Sequence, residues 1–218
     1  MKVVIAGGGV IGSAIAYYLT GAGAEVVIVE RGELAGEASG AAAGLLIPPD
    51  RAAAPGPFRD ICLASLAEYR SIIERVQRES GVDVQCLASG ILVVAQSPDR
   101  VEMLQAHARR QTKNGVPTQW VGNEELRELE PALSPRVLGA VYSHGELNVD
   151  PGQVTRAFAH AAKAGGADLR TGTMLTGFLG RGPNIFGVST NVGDITEVDC
   201  IVLAAGPWTQ VLAQRLGA

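Results

Sequence analysis

The chain has 218 residues, enough for one large domain or for one domain and part of a second. With 47% hydrophobic and 18% charged residues its composition is that of a folded globular protein, which excludes a disordered chain. A net charge of -4, with Lys and Arg scattered singly, argues against a nucleic-acid backbone or an anionic membrane surface as partner.

Residues 2–6, KVVIA, are a continuous apolar run of the kind buried on both faces of a parallel sheet. Three consecutive glycines, Gly7 to Gly9, stop it, so this apolar start does not read as a signal peptide. A helix is expected from Val10 to about Ala22, and EVVIVE at 25–30 reads as a second parallel strand. Residues 36–49 are small and flexible, then apolar, and end in two prolines. An amphipathic helix follows over Phe58–Ser80, closed by Gly81. Two short strands are expected over 83–95 around Ser89-Gly90, a helix over 98–113 opened by Pro98, and an extended piece from Trp120. Asn123 is expected to cap a short helix ending at Glu130-Pro131, with a strand over Leu138–Ser143. Asp150 and Pro151 start a helix to about Ala164, with Gln153 placed for a capping box. Strands are then expected at 167–170, 174–179, 185–192 and 197–203, and a last helix from Pro207. Nothing approaches the ~20 apolar residues of a membrane span.

Gly7, Gly9 and Gly12 form G-x-G-x-x-G between a buried strand and a helix. Gly7 would permit the tight turn, Gly9 the approach of a pyrophosphate, and Gly12 the packing of helix on strand. Val10 and Ile11 would offer N–H groups at the positive end of the helix. Glu30, at the end of the second strand, can accept the hydroxyls of an adenosine ribose and disfavours a 2′-phosphate. Arg31 beside it could lie against the adenine. The turn alone does not separate NAD from FAD. The segment EASGAAAGLL at 37–46 favours FAD, because a flavin needs a second stretch of small residues against its ribityl chain and rings, and Ala38, Ser39, Ala43 and Gly44 supply one. Leu45 and Leu46 could shield a flavin face from water.

The pieces GGGVIGSAIAYYL, ASGAAAGLL, GVDVQ, ELEP, LNVDPGQV and VLAAGPWT run in this order along the whole chain. Together they resemble the D-amino-acid oxidase superfamily of FAD-dependent oxidoreductases, and within it the glycine oxidases of thiamine biosynthesis. The resemblance implies FAD contacts from Val10, Ile11, Glu30, Arg31, Ala38, Ser39, Ala43, Gly44 and Leu45, with a backbone contact to the adenine end from Leu175. It also implies a fold class: α/β, a Rossmann-type FAD-binding domain with a partial, mainly antiparallel α+β substrate domain. The expected boundaries are 1–84 and 147–218 for the FAD-binding domain and 85–146 for the first part of the substrate domain, with the rest of the substrate sheet starting at 185–197.

The implied chemistry is hydride transfer from the Cα of a small amino-acid substrate to flavin, hydrolysis of the imine to a 2-oxo acid and ammonia, and reoxidation by oxygen. Relatives continue past the VLAAGPW helix, where the arginine that holds the substrate carboxylate lies, so no catalytic side chain is assigned. A homo-oligomer or a missing C-terminal half is the expected partner. Taken alone, Trp208 reads as a core tryptophan. His107, His144 and His160 show no ligand spacing, and no metal site is expected. Cys62, Cys86 and Cys200 read as buried free thiols, which suits a reducing cytoplasm. Three other readings stay open: an FAD dehydrogenase passing electrons to a quinone, a truncated FAD-binding module without activity, and, more weakly, an NAD dehydrogenase.

Overall fold

The computed structural model describes residues 1–47, 56–181 and 184–216. In chain order its elements are β1 (Lys2–Ala6), α1 (Val10–Gly21), β2 (Glu25–Val29), β3 (Leu45–Leu46), α2 (Pro57–Ser80), β4 (Ile91–Ala95), α3 (Pro98–Lys113), β5 (Thr118–Gly122), α4 (Asn123–Leu129), β6 (Gly139–Ser143) and β7 (Leu147–Asn148). Then come α5 (Pro151–Ala164), β8 (Asp168–Arg170), β9 (Leu175–Arg181), β10 (Asn184–Thr190), β11 (Gly193–Thr196), β12 (Cys200–Leu203), a 3-10 turn over Gly206–Trp208, and α6 (Thr209–Gln214). They form two compact units, one of Met1–Gly44, Ile72–Gln85 and Asp150–Ala218, the other of Leu45–Ser71 and Cys86–Val149.

The first unit is built on a parallel sheet in the order β12-β1-β2-β8. Val3, Ile5, Val26 and Ile28 point to one face and pack with Ala16 of α1 and Ala162 of α5. Val4, Ala6, Val27 and Val29 point to the other and pack with Leu175, Val188 and Ile195. Two covered faces explain why both strands are apolar at successive positions and do not alternate. Each such Val or Ile contributes about 1.5–3 kcal/mol by leaving water. The second covering layer is the antiparallel sheet β9-β10-β11. Residues 185–197, expected to begin the rest of the substrate sheet, thus form β10 and β11 and belong to the first unit.

In the second unit an antiparallel sheet, β4-β6-β5, is covered on one side by α3 through Leu104 and Ala108, which meet Ala95 and Val141. Leu126 of α4 packs with Val121, Val137 and Ala140 in a separate cluster. β3 and β7 form a short pair, Leu45 opposite Asn148.

Local expectations fail where a backbone choice intervenes. Gly122, not Asn123, is the cap residue of α4, and Asn123 instead accepts a hydrogen bond from Arg127 Nε at 2.9 Å. Only one strand forms near Ser89-Gly90, because Gly90 sits at φ +68 and Leu87 makes no more than an isolated bridge to Asn148. Half of the capping box at α5 is present: the Gln153 N–H donates to Asp150 Oδ1 at 2.8 Å. The other half is replaced, since the Asp150 N–H donates to the Val84 carbonyl at 3.0 Å and the Gln153 side chain accepts from Arg156. The strand expected over 197–203 starts at Cys200, because Glu197 at φ +59 turns the chain out of extended conformation. The cysteines are also less buried than expected: Cys62 and Cys86 are half-buried and Cys200 is exposed. Among the described residues, no helix is long and apolar enough to cross a membrane.

Candidate functional site

The glycine turn joins β1 to α1 and is closed in by backbone. Gly7 sits at φ +120, and a Cβ on it would fall 2.3 Å from the Ala204 carbonyl oxygen at the end of β12. A Cβ on Gly12 would fall 2.0 Å from the Gly7 oxygen, with Ile5 Cγ2 at 3.3 Å. These two glycines let helix and strands meet as the motif requires. Gly9 differs, because its φ of -77 suits any residue and a Cβ would meet only Ser39 Oγ, at 3.0 Å. Its lack of a side chain therefore keeps open the space in front of the helix, not the packing behind it.

That space is a cleft of about 540 Å³ in the first unit. Of the residues expected at the site, Gly7, Gly9, Ile11, Glu30, Arg31, Ala38, Ser39 and Leu175 line it. Val10 sits at the rim of the turn, its N–H donating to Ser39 Oγ at 3.0 Å. Gly12 lies beneath. Ala43 is exposed and Gly44 is buried at φ +76, and neither is among the lining residues. Leu45 belongs to the second unit, where it is 46% exposed.

Glu30 is held in place by two backbone donors, Gly8 N–H to one oxygen at 2.7 Å and Gly32 N–H to the other at 2.8 Å. A carboxylate has about four acceptor positions, so both oxygens keep one for a further donor. Its carbonyl also accepts from the Thr173 N–H at 2.8 Å, which fixes the strand end from behind. Arg31 pairs with Glu37 at 2.6 Å and lays its guanidinium 3.8 Å from the centre of the Trp208 ring. Trp208 is accordingly not a core residue: it is 39% exposed and lines the cleft. The turn Ala204–Pro207 and Arg215 line the same cleft. VLAAGPW gave a sequence signal for the first of these. Arg215, whose guanidinium donates to the Thr176 carbonyl, gave none.

The α1 N-terminus adds an electrostatic element. Helix geometry leaves the N–H groups of its first turn without acceptors inside the helix, and no acidic residue occupies that turn. A cleft with backbone donors at a helix end, a carboxylate one strand over, and a gap that a side chain at Gly9 would fill has the form of a dinucleotide site.

Residues 2–218 match the family described as FAD dependent oxidoreductase. The chain belongs to this family. It is 31% identical over 215 residues to the glycine oxidase of Bacillus licheniformis, covering 98% of this chain and 56% of that protein. The crystal structure of glycine oxidase from Bacillus cereus ATCC 14579 superposes with a TM-score of 0.88 at 34% identity, covering 98% of this chain and 57% of the other. L-proline dehydrogenase from P.horikoshii shares the fold at a TM-score of 0.74 and 26% identity, with 99% and 55% covered. The chain thus spans little more than half the length of these relatives. The family membership bears out the FAD-dependent oxidoreductase reading and the α/β fold class.

Proposed function

We propose that this chain is the cofactor-binding part of an FAD-dependent oxidase of small amino acids, such as glycine, sarcosine or a D-amino acid, with oxygen as acceptor and a place in thiamine biosynthesis. The observation that supports it most is the cleft in front of α1, where Glu30 and the glycine turn face one space. FAD, when bound, would supply the acceptor for the two electrons and the hydrogen lost from the substrate's Cα–N unit.

Each residue then has a part in holding the cofactor. The backbone N–H group at Ile11, with Val10 and the Ser39 hydroxyl that accepts from the Val10 N–H, would face the pyrophosphate. The two remaining acceptor positions of Glu30 suit the ribose hydroxyls. Arg31, held by Trp208 and Glu37, presents a flat cationic face to the adenine end, where Leu175 contributes a buried wall. Ala38 gives a small surface for the chain beyond the pyrophosphate. Ala43, Gly44 and Leu45 are assigned to the flavin end on the resemblance alone.

Peroxide release tests the proposal. Residues 1–218 joined to the downstream region of a complete relative and loaded with FAD should be yellow and release hydrogen peroxide with glycine, whereas residues 1–218 alone should release none at a useful rate. A colourless protein that binds NAD would overturn the cofactor assignment. The fold shared with L-proline dehydrogenase supports a second reading, that of a dehydrogenase, for which we propose a quinone as the electron acceptor. Substrate-dependent reduction of an artificial quinone without peroxide would select it.

A further inference from the structure

The second unit contains a separate cavity of about 400 Å³ that the cofactor reading does not use. Its apolar walls include Ile91, Val93 and Val141 from the sheet and Leu104 from α3. Its polar groups are of opposite charge and come from different elements. Glu146, in the turn after β6, lines it and is 2% exposed. One carboxyl oxygen of Glu146 accepts the Ser143 hydroxyl at 2.6 Å, while the other is buried with no hydrogen-bond partner among the described residues. A buried oxygen in that condition is uncommon and costly, because it has given up water for nothing.

The helix contributes the cations. Arg100 and Arg110 of α3 both line the cavity, one turning its guanidinium to Met103 Sδ and the other to His107 Nδ1. Neither makes an ion pair with a carboxylate among the described residues. An acceptor on the sheet side, cations on the helix side and aliphatic side chains between them make a site with two poles.

We infer that this cavity binds a small organic zwitterion, an ammonium group on the unpartnered oxygen of Glu146 and a carboxylate on Arg100 and Arg110, with an aliphatic body between them. The ammonium supplies the donor that the buried oxygen lacks, and the guanidiniums suit a carboxylate in planar geometry. The assignment does not rest on the cofactor, because every lining residue belongs to the second unit.

The test is titration of the full chain with 6-aminohexanoate, read by calorimetry and by amide chemical shifts, with hexylamine and hexanoate as probes of each pole. Saturable binding of 6-aminohexanoate, with shifts at Ser143 to Glu146 and along Arg100 to Gln111, is expected. Each single-pole probe should bind at least about tenfold more weakly. Glu146→Gln keeps the shape and removes the charge, and should weaken the zwitterion about tenfold or more. Because that residue is buried, the double variant Arg100→Gln/Arg110→Gln, at exposed positions, provides an independent weakening. No saturable binding, shifts elsewhere, equal binding of hexylamine, or variants that bind as the parent chain does would each overturn the inference.

Discussion

Two helices of this protein begin with the same backbone. Gly9 precedes α1 at φ -77 and ψ 176, and Gly122 precedes α4 at φ -77 and ψ 175, both without a side-chain cap. Their surroundings differ in every other respect. The first turn of α1 holds no acid and opens on a cleft, whereas α4 carries Glu124 and Glu125 in its own first turn. Those carboxylates already answer the positive end of the short helix, and an anionic ligand would be repelled there. The glycine pattern differs too, since Gly7 and Gly12 are pressed against backbone while a Cβ on Gly122 would meet nothing within 4 Å. Local geometry alone therefore does not make an anion site. What makes one is a helix end whose charge is left for a ligand, in a space that neighbouring elements enclose.

The contrast can be broken first at Gly12. Gly12→Val should cost more than ~3 kcal/mol, because the added atoms meet the Gly7 carbonyl oxygen in a part of the chain that cannot yield. Thermal unfolding measures it, and a stable Gly12→Val protein would show that α1 is not pinned to β1. Gly9→Val sharpens the distinction between packing and ligand space: the chain should stay folded and lose FAD binding in a fluorescence titration. Unchanged FAD affinity in that folded variant would remove the pyrophosphate from this turn.

Glu30→Ala should weaken FAD by ~1–3 kcal/mol through loss of charged hydrogen bonds to the ribose. It should also lower stability somewhat, since Gly8 and Gly32 lose their acceptor. A variant that unfolds more easily but binds FAD as before would mean that Glu30 serves only the turn. The smallest effect belongs to the other helix. Gly122→Ala should change stability by at most about 1 kcal/mol and leave FAD binding untouched. A larger loss would mean that the two caps are more alike than their neighbours suggest.

Much of the first unit was legible in the sequence. β1 was expected at residues 2–6 and occurs at Lys2–Ala6, because a strand covered on both faces must be apolar throughout and its end is marked by glycine. In the second unit the helix expected over 98–113 occurs at Pro98–Lys113 and the strand expected over 138–143 at Gly139–Ser143, but only one of the two strands expected over 83–95 forms. The strands of its sheet are only partly buried, so their patterns are weaker, and the start of β4 depends on Gly90 fitting against the Ser143 carbonyl, a long-range contact. Glu197 and Gln85, both at positive φ, gave no advance sign, since neither residue type announces that conformation.

The sequence by itself determined the glycine turn, the carboxylate at Glu30 and the small-residue stretch with Ala38 and Ser39, because close backbone approach and hydrogen bonding depend on residue type at fixed short spacing. Only the tertiary structure decided that Trp208 leaves the core to carry Arg31, that Arg215 reaches the same cleft, and that Glu146 is buried with an oxygen unanswered among the described residues. Those outcomes depend on which elements meet across long stretches of chain, and burial of a charged or aromatic side chain is set by that meeting and not by its neighbours in sequence.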